Sequence, residues 1–124
     1  MEKMNRRQFT KNSAKLITEM VEAGDMPVID YVLRSAIGQK EMFDNNVSGC
    51  DGYIKKSAHQ FGKAMDIYLV KLNSKGNPYI DYNWMDDEKA YKWHKRWQEL
   101  GGKGMIIFTN RLGHKIEDRC HFEG

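Results

Sequence analysis

Residues 57–66 read Ser57-Ala58-His59-Gln60-Phe61-Gly62-Lys63-Ala64-Met65-Asp66, and from Lys63 to Leu72 the chain alternates in character. The alternation predicts a strand with Met65, Ile67 and Leu69 on one face and Ala64, Asp66 and Tyr68 on the other. The first face has to lie on a core. The second carries an acid at its centre and has to turn it toward solvent or a cation. His59 and Asp66 stand seven residues apart, an odd spacing that sends them to opposite faces of an unbroken strand. Gly62, between them, is the residue that can bend or bulge the chain and bring both side chains to one point.

A second cluster closes the sequence, Asp118-Arg119-Cys120-His121-Phe122-Glu123. A strand over its last residues puts Phe122 into the core and His121 on the opposite face. His59, Asp66 and His121 then form a donor set suited to one zinc ion per chain. Catalytic zinc takes three protein ligands of these types and keeps a fourth position for water. Asp118, three residues before His121, is placed to handle that water's proton. Glu117 is the alternative acid, one residue off. Glu123 shares the strand face of His121 and is placed to orient it from outside the ligand set.

The pattern Ser-x-His-x-x-Gly-x-Ala-x-Asp, carried by Ser57, His59, Gly62, Ala64 and Asp66 and followed by Asp118, His121 and the closing His-Phe-Glu, resembles a known family. That family is the VanY-like D-alanyl-D-alanine carboxypeptidases and L-alanyl-D-glutamate endopeptidases, zinc enzymes of peptidoglycan that share a fold with the hedgehog signalling domain. The resemblance implies hydrolysis of a peptide bond in the peptidoglycan stem, with Asp118 as catalytic acid and base. It points to L-alanyl-D-glutamate cleavage by a phage endolysin. A D-alanyl-D-alanine carboxypeptidase and an inactive zinc-stabilised binding domain are the alternatives, and an acid at position 118 favours an enzyme over the latter.

In the family a strand ends in a substrate-contacting arginine with a glutamine five residues on, and Arg34 and Gln39 stand at that spacing. Val32-Leu33-Arg34 replaces the family's usual Gly-Tyr-Arg, so Arg34 is either that contact or a solvated charge at a strand end. Ser57 is either a substrate or ligand hydrogen-bonder or a turn former. His114 is a spare histidine in a loop near the site, and His94 reads as a surface residue.

The remaining pattern predicts an α+β fold, a small antiparallel sheet flanked by helices. Helices are expected over Thr10–Gly24, with Ala14, Ile17, Met20 and Val21 as the apolar set, and over Asp86–Leu100, with Ala90, Trp93, Trp97 and Leu100 as the buried stripe. A short helix is expected over Ala36–Asp44, and Asn45–Lys56 reads as a surface loop. The sheet is expected to join the segments beginning at Met26, Lys63, Met105 and Cys120, with Asn110–Lys115 a loop. At 124 residues the chain is read as one catalytic domain, residues 1–124, without a separate wall-binding module. The net charge of +3 is spread in both signs, which argues against nucleic-acid binding. No stretch approaches a membrane span, and no apolar run follows the basic start, Met1 to Arg7. A monomer made in the cytoplasm and acting on the cell wall after release fits these features. Cys50 and Cys120 are read as free thiols rather than a disulfide framework.

Overall fold

The computed structural model describes residues 4–30, 44–45 and 63–124. Among them are two α-helices and six strands: α1 (Arg6–Glu22), β1 (Pro27–Ile29), β2 (Ala64–Leu72), β3 (Pro78–Asp81), α2 (Asp87–Glu99), β4 (Ile106–Thr109), β5 (Lys115–Asp118) and β6 (His121–Glu123). The class is α+β, with antiparallel sheets. Neither helix is long and apolar enough to cross a membrane.

Helix α1 begins four residues before the periodicity places it. The cause is a capping box: the Asn5 side chain accepts from the Gln8 N–H at 2.8 Å, and the Gln8 side chain accepts from the Asn5 N–H at 2.9 Å, satisfying two donors that the first turn leaves open. With that start the buried stripe is Phe9, Ser13, Leu16 and Met20, and Ala14 and Val21, both expected inside, are exposed. The helix stops where Gly24 takes φ +90°, a left-handed conformation that glycine adopts without a Cβ clash.

Strand β2 is the axis of the sheet. It pairs antiparallel with β1 through Val28↔Tyr68, with β3 through Val70↔Ile80 and with β6 through Asp66↔His121. Asp66 offers its carbonyl to Asp30 N–H, and Ile67 donates its N–H to Cys120. Neighbouring residues of a strand direct these groups to opposite sides, so β1 and β6 border opposite edges of β2. The Ile67 carbonyl accepts from the Trp84 indole at 2.7 Å, which fills the β6 edge beyond the end of that short strand. Trp84, at φ 49° and fully buried, is a core residue that no periodicity marks.

Met65, Ile67 and Leu69 join Leu16, Met20, Trp84, Ala90, Trp93, Trp97 and Phe122 in one core, so both helices cover this face of β2. Opposed cross-strand residues share a face. Met65 opposite Phe122 therefore lies on the helix side, and Asp66 opposite His121 on the other. The expected alternation holds in direction, but Ala64 and Asp66 are buried as well.

The segment beginning at Met105 does not join this sheet. Ile106–Thr109 pairs with Lys115–Asp118 to form a separate hairpin, whose second strand opens at Lys115, the last residue of the expected loop. The turn is organised by Asn110, whose side chain accepts from the N–H groups of Leu112 and His114 at 3.0 Å each. An Asn that hydrogen-bonds its own downstream backbone closes a hairpin locally, and β4 then finds its partner without reaching β2.

Candidate functional site

Asp66 and His121 are brought together by strand register. Across the β2–β6 ladder His121 Nδ1 lies 3.4 Å from Asp66 Oδ1, and the residues are only 4 % and 8 % exposed. The other ring nitrogen, Nε2, is 2.8 Å from Glu123 Oε1. Glu123 is two residues along the same strand face, and its second oxygen receives Lys103 Nζ at 2.7 Å. The result is a line of groups, Lys103, Glu123, His121, Asp66, on the face of β2 away from the helices.

The charges in this line reinforce one another. Burial alone pulls the His121 pKa down, yet the Asp66 and Glu123 carboxylates override it and push the imidazole up to about 9. Burial alone raises Glu123, but hydrogen bonds from His121 and Lys103 hold it down near about 2. The environment thus favours positive charge at the imidazole, whether a proton or a metal cation.

Asp118 closes β5 two residues before Cys120. The Cys120 thiol donates to Asp118 Oδ1 at 3.6 Å. Burial, with Asp66 and Asp118 adding to it, pushes that thiol far above its ordinary range, so it stays protonated as a donor. Glu117 turns the other way, as strand alternation requires. Its carboxylate takes Arg119 Nη2 at 2.9 Å and the Tyr91 hydroxyl at 3.4 Å.

The corner between Asp118 and His121 is gripped by α2 and the loop before it. The Arg119 guanidinium reaches Asp87 at 2.6 Å, the Trp84 carbonyl at 2.9 Å and Glu117, and it lies over the Tyr91 ring. On the inner side His94 Nε2 is 2.7 Å from the Arg119 carbonyl. His94 corrects the sequence reading: it is 3 % exposed, not at the surface, with its ring stacked on Phe122 at 4.2 Å and 5°. It sits at the edge of the α2 apolar stripe, one residue past Trp93, where Phe122 covers it.

His114 lies at the turn of the β4–β5 hairpin, whereas Asp118 lies at its open end opposite Ile106. Four residues of strand separate them by roughly 13 Å, and the histidine that meets the backbone between Asp118 and His121 is His94. Arg34, Gln39, Cys50, Ser57 and His59 lie outside the described residues. Among the described residues no three His, Cys, Asp or Glu side chains form a group able to hold a metal. Asp66 and His121 supply a carboxylate and an imidazole on one face, and the third expected donor, His59, precedes β2 in sequence.

Sequence reasoning missed Trp84, Arg119 and Lys103 as supports of this corner. An arginine between a candidate acid and a candidate ligand is a signal only in hindsight of the turn that it braces. The chain matches no protein-family model, and a search of curated proteins finds no match to it.

Proposed function

We propose that the chain is a zinc-dependent peptidase of the VanY-like type, a single catalytic domain of hedgehog-like fold that cleaves the L-alanyl-D-glutamate bond of the peptidoglycan stem as a phage endolysin. The observation that carries the reading is the Asp66–His121 pair. Two residues of the motif, far apart in sequence, face each other across one register position of β2 and β6, buried and with donor atoms 3.4 Å apart.

The ring orientation supports it. Nδ1 of His121 faces Asp66 and Nε2 faces Glu123, so a cation replacing the Nδ1 proton would leave the Nε2–H donating to Glu123. His59, Asp66 and His121 would hold zinc. Zinc bound there would supply an activated water and polarise a scissile carbonyl. Asp118 is the group that would accept a proton and return it to the leaving amine. The Cys120 thiol donates to Asp118 Oδ1 at 3.6 Å. Glu117 is engaged by Arg119 and Tyr91, which disfavours it as the base. Arg34, Gln39 and Ser57 are assigned to substrate.

The deciding experiment is digestion of purified peptidoglycan followed by mass spectrometry of the new termini. Free L-alanyl carboxylates and D-glutamyl amines are expected. Release of D-alanine alone would identify a carboxypeptidase instead, and no new termini at all would overturn the peptidase reading.

A further inference from the structure

The proposed chemistry needs Asp118 and His121 at a fixed separation, and only Arg119 and Cys120 stand between them. The Arg119 side chain is tied outward to Asp87, Glu117 and Trp84, while its carbonyl turns inward to His94 Nε2 at 2.7 Å. A carbonyl only accepts, so His94 carries its proton on Nε2. Its Nδ1 is then a bare lone pair, buried and without a hydrogen-bond partner among the described residues. A phenylalanine at this position would stack on Phe122 equally well and strand no nitrogen. What the imidazole adds is therefore the bond to the Arg119 carbonyl.

We infer that His94 is a positioning residue of the candidate site: its Nε2–H pins the corner that sets the distance between Asp118 and His121, while its ring rests on Phe122, the neighbour of His121 in β6. The inference rests on the zinc-peptidase reading. His94 acts through the backbone, on the helix side of the sheet, and contacts neither metal nor substrate.

The test compares the full-length wild type with His94→Phe and His94→Gln. Gln keeps an N–H at about the reach of Nε2, and Phe keeps only the stack. Zinc affinity is read by competition with a chromophoric chelator, and kcat and KM on soluble peptidoglycan fragments. Hydrogen exchange reports on the Cys120 and His121 amides. His94→Phe should keep the wild-type Tm in the zinc-free form, bind zinc ~10- to 100-fold more weakly, lose kcat at unchanged KM and exchange faster at those amides. His94→Gln should recover most of each. Wild-type zinc affinity and kcat in His94→Phe would overturn the inference alone, as would a Gln variant that falls as far as Phe. If His94→Phe does not fold, the Gln variant decides, supporting the inference only if its zinc affinity and kcat are near wild type. A wild type that neither binds zinc nor cuts overturns the peptidase reading itself, and this inference with it.

Discussion

Asp118 and Glu117 are adjacent acids that strand alternation sends to different surroundings. Asp118 meets the Cys120 thiol, and Glu117 meets Arg119 and Tyr91. Asp118→Ala is expected to keep zinc and fold but lose ~10²- to 10⁴-fold in turnover, the usual effect of removing a positioned general base. Glu117→Ala should keep most activity. Wall lysis and zinc content of both variants, assayed side by side, check this. Full activity in Asp118→Ala, or collapse only in Glu117→Ala, would show that the other acid is the base, and an inactive binding domain would be indifferent to both. His94 yields a second prediction. Burial pushes its pKa down to about 4, only partly offset by the bond to the Arg119 carbonyl. The folded state therefore prefers the neutral ring, so the unfolded state binds more protons below pH 6.5. That stability is complete above 6.5 and is lost as pH falls from there toward 4, by up to ~3 kcal/mol at 1.36 kcal/mol per pKa unit. Urea midpoints measured from pH 7.5 to 4.5 should fall more steeply for wild type than for His94→Phe. Parallel curves would refute it.

At the scale of elements, α1 and α2 do different work. Helix α1 supplies Phe9, Leu16 and Met20 to the core and ties to α2 through Glu19 and Arg96 at 2.7 Å. It contributes no residue to the candidate site. Its capping box is therefore a means of changing stability without touching chemistry. Asn5→Ala should destabilise by ~0.5–2 kcal/mol in urea unfolding at pH 7 and leave kcat unchanged. Helix α2 supplies the core through Ala90, Trp93 and Trp97 and also braces the site, through Asp87 on the Arg119 side chain and His94 on its carbonyl. A loss of activity in Asn5→Ala comparable to its loss of stability would show that this division of labour is wrong.

For the whole molecule, the candidate site stands where β2 meets a stretch distant from it in sequence, the end of the β4–β5 hairpin running on into β6. A metal bound there closes contacts that the unfolded chain lacks, so its binding energy adds to folding. Zinc at a hundredfold excess over its Kd should stabilise by ~2.7 kcal/mol, seen as a rise in Tm that a chelator reverses, with one zinc per chain by metal analysis. His121→Ala should lose zinc, stability and activity together, since it also strips Glu123 of a buried partner. A Tm indifferent to zinc and chelator alike would remove the metal from the reading.

The sequence by itself determined which faces are apolar. Alternation from Lys63 to Leu72 assigns Met65, Ile67 and Leu69 to the core, the spacing in α2 assigns Trp93 and Trp97, and the two-residue period at the end of the chain puts Phe122 on one side and His121 with Glu123 on the other. These follow from geometry local to one strand or one turn of helix, so no partner is needed to read them. Signals of equal locality were present but unread, as the Asn5–Gln8 box was. Only the tertiary structure decided the pairings. That β4 closes on β5 instead of β2 depends on which partner comes first, and Asn110 provides a near one. That Asp66 meets His121 depends on a register set by distant contacts. That His94 is buried depends on Phe122 arriving over it from the far end of the chain, since a histidine at the margin of an apolar stripe is exposed or enclosed according to what packs there, and nothing within α2 specifies that neighbour.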